Sequence, residues 1–349
     1  MKINKNFLII ILVLLIGYFF VNFNSENKVI DNDIAKSKNS KITNSAEKPY
    51  VGKTSKSLFV PYWSLNSELQ LNSYDRVFYF GISVNEFGIN KEEDGYKNLK
   101  EFYSISLNKK RKYLTLRMTN TEDNLKILKD EKIIKKIIEE SINIAKQHDF
   151  SGIVLDLELG VLFGDEVIGQ INDFSNSFFK EVKINNLNYS IAIYGDVFYR
   201  KRPFDILNLA KNSDELMIMV YDFHKSIGEP GPNFPLDNAE VYGYDMKVLM
   251  DDFLSIVPPE KLTVIFGMYG YEWIVDDKDR PIKPAQSLSL NQIESNYSNY
   301  CRDEKCEFLD SENKRHIIWY ESEESVSKKI KYLKTRGVGS FAYWAAGYF

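Results

Sequence analysis

The sequence predicts an α/β chain folded as a (β/α)8 barrel. Three observations carry this reading. Short apolar runs recur along the chain, amphipathic stretches separate several of them, and eight such runs fall within about 290 residues. The apolar runs are "SLFVPYW" (57–63), "RVFYFGISV" (76–84), "KYLTLRM" (112–118), "GIVLDLE" (152–158), "NYSIAIYG" (188–195), "ELMIMVYD" (215–222), "LTVIFGMYG" (262–270) and "GSFAYW" (339–344). Eight candidate strands alternating with helices suit a closed barrel better than an open doubly wound sheet, which generally has fewer strands.

The elements follow in order. Lys2 and Lys5 precede Phe7 to Phe23, seventeen residues without a charge, whose exit reads "VNFNSENK" (21–28) with no small-x-small cleavage site. That length is near the lower limit for a membrane span. Residues 1–23 are therefore expected to be a cytoplasmic stub and an uncleaved signal anchor, which would hold the remaining chain outside the membrane. A cleaved signal peptide and a secreted chain is the alternative. Residues 24–56 are polar, rich in lysine and asparagine and without apolar periodicity, as expected of a flexible linker. Residues 57–349 form the barrel.

Helical periodicity is clearest over 124–147, where Leu, Ile and Ala recur at spacings of three and four with lysine and glutamate opposite. Further helices are expected over 166–184, 244–256 and 323–336. The stretch 274–315 is too long for a loop and has its own hairpin-like pieces, so it reads as a small insertion between the seventh and eighth strands. Within it, Cys301 and Cys306 are spaced to close a short loop as a disulfide, with two free thiols as the alternative.

Composition removes several function classes. The chain has 349 residues, 44% hydrophobic and 14% aromatic, which suffices for a large core and excludes general disorder. Its net charge is −4 and its lysines are scattered, so nothing points to nucleic acid. The three histidines, His148, His224 and His316, are far apart, which argues against a zinc site. No G-x-G-x-x-G follows an early strand, so no dinucleotide cofactor is expected, and the chain is read as needing no cofactor.

The chemistry centres on "DFSGIVLDLELG" (149–160). Asp156 and Glu158 lie two apart at the end of a buried strand, so their side chains share one direction. Taking two carboxylates out of water costs several kcal/mol each unless they are partnered or face a cleft. In barrels of this kind the carboxyl ends of the strands carry the active site.

At these residues the chain resembles glycoside hydrolase family 18, whose fourth strand carries F-D-G-x-D-x-D-x-E. Phe150, Gly152, Asp156 and Glu158 match, whereas Ser151 and Val154 replace the first two aspartates and Leu157 replaces a tryptophan. The resemblance continues through "MVYDFHKSIGEPGPNFPL" (219–236), "KLTVIFGMYGYEW" (261–273) and "IIWYESEESVSKKIKYLKTRGVGSFAYWAAG" (317–347). The short insertion and the ending "GVGSFAYWAAG" look closer to bacterial spore-cortex and cell-wall N-acetylglucosaminidases than to chitinases with large insertions.

The resemblance implies hydrolysis of β-1,4 bonds next to N-acetylglucosamine, in peptidoglycan or chitin-type chains, by a substrate-assisted mechanism. By that resemblance Glu158 is the acid and base, Asp156 stabilises the oxazolinium ion, and Tyr221 orients the acetamide. Asp222 and Met219 would line the sugar site and Trp344 would floor it. Phe80 and Trp273 are further candidates for sugar stacking. The partners implied are an N-acetylglucosamine-containing polysaccharide and, through the anchor, a membrane; the enzyme is expected to be a monomer. Val154 removes a carboxyl that would otherwise hydrogen-bond Asp156, so a weakened enzyme or an inactive carbohydrate-binding relative is the competing expectation.

Overall fold

The computed structural model describes residue 52 and residues 54–349, apart from 67, 110 and 162. Eight parallel strands close on themselves: β1 (Ser55–Pro61), β2 (Arg76–Asn85), β3 (Lys112–Met118), β4 (Gly152–Leu157), β5 (Asn188–Tyr194), β6 (Glu215–Val220), β7 (Leu262–Gly267) and β8 (Ser340–Trp344). Each pairs in parallel with the next, and β8 pairs with β1 to complete the barrel. All eight expected strands are present. β1 begins at Ser55, so the end of the expected linker already belongs to the barrel. The expected anchor, Phe7–Phe23, lies outside the described residues, among which no helix is long and apolar enough to cross a membrane.

The helices form where the apolar stripe and a capping residue coincide. The expected helix over 124–147 is two helices, Thr121–Ile127 and Glu131–Gln147. Asp130 breaks the run, because its carboxylate accepts from the backbone N–H groups of Lys132 and Ile133 at 2.9 and 3.2 Å and starts a new helix. That helix buries Ile137, Ile138, Ile142 and Ala145 against the barrel. Asp165–Ile184, Met246–Leu254 and Glu323–Thr335 occupy the other three expected regions, the last two capped by Asp245 and Ser322.

The barrel interior is layered. At the amino end of the strands, Arg76 forms an ion pair with Glu215 at 2.8 Å and donates to Ser57 and Ser340 at 3.0 and 2.9 Å. Ser190 also donates to Glu215, at 3.1 Å. This network links β1, β2, β5, β6 and β8 and closes the floor. Above it lies an apolar layer that includes Phe59, Phe78, Tyr113, Val154, Met217 and Ile265. With the floor sealed and this layer packed, only the carboxyl end of the barrel is free to hold a ligand.

The inserted unit is larger than expected. The chain turns a corner at Met268, whose N–H donates to the Trp344 carbonyl at 2.7 Å, and then enters a separate antiparallel sheet. Its strands are Gln286–Ser289, Tyr269–Val275, Arg315–Tyr320, Lys305–Leu309 and Cys301–Arg302, in that spatial order. The insertion therefore spans 269–320 rather than 274–315. The apolar pattern runs unbroken from β7 into the inserted strand, which is why the sequence hides the corner. Cys301 and Cys306 face each other across a tight hairpin and form a disulfide.

The buried ion pair yields a stability prediction. Glu215→Gln leaves the Arg76 charge buried without a counter-ion and should destabilise the fold by about 3 kcal/mol in urea unfolding. A loss below about 1 kcal/mol would show that the floor network contributes little.

Candidate active site

The site residues stand on the strand ends around the barrel mouth. Asp156 is the last inward-facing residue of β4 and is 4% exposed. Its Oδ1 is buried without a hydrogen-bond partner. Burial raises its pKa well above the usual aspartate range, and the nearby charge of Glu158 adds to the rise while Arg117 opposes it. Glu158, just beyond the strand, is half-buried. Burial raises its pKa too; a hydrogen bond from the Tyr194 hydroxyl to Oε2, at 2.9 Å, and the charges of Lys225 and Arg202 pull the other way.

The backbone at Glu158 is held rigidly. Its N–H donates to the Met118 carbonyl at 2.8 Å, and the fully buried Asn124 donates to the carbonyls of both Met118 and Glu158, at 2.6 and 2.8 Å. A side chain from a helix thereby ties the ends of β3 and β4 together. Tyr194 and Asn124 are not singled out by sequence reasoning. Tyr194 has a signal, since Ser190, Ala192 and Tyr194 alternate along one face of β5; Asn124 has none, because its role depends on the Glu158 carbonyl, 34 residues away.

Tyr221 follows β6 and stands within electrostatic reach of Asp156, Asp222 and Glu158, whose charges join burial in raising its pKa. A side chain at Gly267 would sit 2.8 Å from the Tyr221 Cβ, so glycine there leaves the ring its place. Asp222 has a left-handed backbone, with φ of 56°. Asn233 fixes it: Asn233 Oδ1 accepts from the Asp222 N–H at 2.8 Å while its Nδ2 donates to the carbonyls of Gly267 and Tyr269. Two hydroxyls of the inserted sheet, Tyr269 and Tyr271, donate to Asp222 Oδ1. The insertion thus orders an edge of the site.

Trp344 ends β8, half-buried, with its ring 4.5 Å from Phe80 and 5.8 Å from Phe59 between centroids. Met219 is buried in the same lumen cluster. Trp63, 48% exposed, extends this aromatic surface toward solvent at 6.4 Å from Trp344. One expected stacking residue is corrected. Trp273 is fully buried with Val275 and Ile317, and its Nε1 donates to the Gly228 carbonyl at 2.9 Å. It lies inside the inserted sheet and pins the loop after β6, so no ring face is left for a sugar.

Seven of the residues singled out, Asp156, Glu158, Tyr221, Asp222, Met219, Phe80 and Trp344, therefore converge on one mouth. Beside Glu158 the loops after β4, β5 and β6 enclose a groove of about 570 Å³, lined in part by Gly160, Arg202, Phe223 and Lys225. Among the described residues no cluster of histidine, cysteine and carboxylate side chains is arranged to hold a metal ion. The arrangement offers a buried acid, a second carboxylate on the same strand, a hydroxyl donor and an aromatic floor.

Two titrations follow from this geometry. Asp156 has a higher pKa folded than unfolded, so it favours folding below the unfolded aspartate range near 4 and opposes it as pH rises through the folded value. Asp156→Asn should therefore raise Tm at neutral pH, with the gain shrinking as pH falls toward 4; a gain that grows with acidity would contradict the burial account. Tyr194→Phe removes a donor to the Glu158 carboxylate, so the carboxyl titration of Glu158, followed by carbon NMR, should move to higher pH.

Comparison with known proteins agrees with the motif. The cortical fragment-lytic enzyme of Bacillus subtilis (strain 168) is 20% identical over 232 residues, which is 63% of this chain and 52% of that protein. The chain thus spans about half the length of that relative. The Bacillus cereus spore cortex-lytic enzyme SleL superposes with a TM-score of 0.69 at 17% identity, over 86% of this chain and 72% of that one. A class V chitinase from Nicotiana tobaccum superposes with a TM-score of 0.71 at 16% identity, over 84% of this chain and 94% of that one. These structures share the barrel. Residues 18–348 match the glycosyl hydrolases family 18 as a whole, and the chain belongs to that glycosidase family.

Proposed function

We propose that this chain hydrolyses the β-1,4 bond that follows an N-acetylglucosamine residue in peptidoglycan or chitin-type chains, with retention of configuration. One observation carries the reading. Asp156 and Glu158 share the mouth with Tyr221 and Trp344, and that grouping answers each need of a reaction in which the substrate's own acetamide is the nucleophile.

In the first step Glu158 gives its proton to the leaving glycosidic oxygen. The acetamide carbonyl oxygen attacks the anomeric carbon, the glycosidic bond breaks, and an oxazolinium ion forms. Burial favours the protonated form of Glu158, which keeps an acid available toward neutral pH. Asp156 accepts the acetamide N–H and offsets the positive charge. Tyr221 donates to the acetamide oxygen and holds it in line, which removes orientational entropy from the step. In the second step the Glu158 carboxylate takes a proton from water, whose oxygen attacks the anomeric carbon and reopens the ring.

Trp344 and Phe80 would stack against the N-acetylated sugar, with Met219 and Asp222 at its edge. The groove beside Glu158 would take the leaving sugar. The curated relative named as a cortical fragment-lytic enzyme and the neighbouring chitinase support a glycan containing N-acetylglucosamine. Val154 supports a second reading, a carbohydrate-binding relative with little turnover, because Asp156 lacks a carboxyl partner beneath it on its own strand.

The test is turnover and affinity on the same variants, with chitooligosaccharides and purified peptidoglycan as substrates and products read by mass. Glu158→Gln should lower turnover by about a hundredfold to ten-thousandfold with oligosaccharide affinity nearly unchanged, since the amide keeps the shape but has no proton to give. Equal activity in wild type and variant, or tight sugar binding with no turnover in either, would favour the binding protein.

A further inference from the structure

Strand register places an unexpected cation at the centre of the site. β3 and β4 pair so that Thr115 lies beside Val154 and Arg117 beside Asp156. Register partners on parallel neighbours project to the same side of the sheet, so Arg117 and Asp156 both face the barrel mouth. The arginine side chain is 19% exposed. Its guanidinium sits among three rings, 5.6 Å from Tyr62, 5.8 Å from Trp63 and 5.1 Å from Phe80. Those rings hold it in place and exclude water, which strengthens its field on any neighbouring charge.

The polar atoms here are left open. Arg117 Nε and Nη1, Thr115 Oγ1 and Asp156 Oδ1 are all buried without a hydrogen-bond partner. Among the described residues the one ion pair of Arg117 is a long contact from Nη1 to Glu93, at 3.7 Å. Four unpaired polar atoms on adjacent positions of two strands are a cost that ordinary packing would remove. Such clusters persist where the groups serve one another through charge or through a ligand.

We propose that Arg117 is a positioning residue for Asp156. Its charge acts from β3 where Val154 leaves the aspartate without a carboxyl partner on β4, and so biases the proton shared by Asp156 and Glu158 toward the glutamate. The inference rests on the catalytic reading above. Substrate-assisted hydrolysis needs Glu158 protonated and Asp156 ionised at once; with the proton on Asp156 the acid is missing and the oxazolinium ion is unsupported. Both microstates carry the same net charge, so a nearby asymmetric field decides between them.

Among the groups acting on Asp156 itself one is a cation, and Asp222 adds to the same bias by raising the pKa of Glu158. Glu158 on its own strand is the competing carboxyl. Tyr194 on β5 and Tyr221 after β6 are neutral phenols with raised pKa values. Arg117 on β3 is the cation, and its charge opposes the rise that burial imposes on Asp156. Lys225 and Arg202 act on Glu158 instead, where they favour the ionised form and work against the required arrangement. Glu93 tempers Arg117 from the far side.

The experiment compares wild type with Arg117→Met and Arg117→Lys. Difference infrared titration of the whole protein, with Asp156→Asn assigning the band, reads the aspartate without relying on turnover. Asp156 should take up its proton about one pH unit higher in Arg117→Met and close to wild type in Arg117→Lys. In hydrolysis the acid limb of the kcat profile should move up by a similar amount in Arg117→Met. Its kcat at the optimum should fall about tenfold, with KM within about twofold, and lysine should restore most of it. An unmoved Asp156 titration in Arg117→Met overturns the proposal, as does a loss confined to KM, which would make Arg117 a substrate contact. A wild type without turnover sinks the catalytic reading, yet the infrared arm still decides whether Arg117 governs Asp156.

Discussion

The constraint on which the site depends is the burial of two carboxylates two residues apart on one strand. Desolvation raises the pKa of both Asp156 and Glu158, and the charge of Glu158 disfavours ionisation of Asp156 further. A fold tolerates this only if the surrounding structure is over-determined. The barrel supplies that. Its floor is sealed by Arg76 and Glu215, its lumen is filled by aromatic and aliphatic side chains, and the backbone at Glu158 is bonded to two neighbours. Stability elsewhere offsets an unfavourable arrangement at the mouth.

The inserted sheet extends the same logic. It sits in the chain between β7 and β8 and turns two tyrosine hydroxyls onto Asp222. The loop after β6, which carries Asp222, is fastened at Asn233 to the corner where the insertion begins and at Gly228 to Trp273. Aromatic residues that look like sugar platforms in the sequence are thereby divided. Trp344, Phe80 and Trp63 remain at the mouth, while Trp273 is consumed as core.

Departures from the family motif are concentrated where charge is handled. Ser151 and Val154 stand where the motif has carboxyls, just before β4 and within it, and Val154 is fully buried among apolar neighbours. A carboxyl there would face Phe78, Met217 and Ile265, an expensive setting for a charge. The adjacent strand carries Arg117 level with Asp156, and its charge opposes the rise that burial imposes on the aspartate.

Much of this was legible in the chain itself. Apolar runs of period two and helical stripes of period three to four report burial directly, so the eight strands, the main helices and the barrel class follow from local pattern. Asp156 and Glu158 were legible for the same reason: alternation along one strand puts both on one face, and two acids on a buried strand demand an explanation. Whatever depended on residues far apart in sequence was not. The break at Asp130 is the exception, a local cap that competes with a continuing helix, whereas the corner at Met268 needed a hydrogen bond to Trp344. Asn124 and Arg117 acquire roles only through neighbours that the fold brings beside them, which a linear pattern does not encode. The sequence by itself determined which segments are buried and where the acids lie; tertiary structure alone decided which groups surround those acids, because electrostatic partnership depends on distance in space.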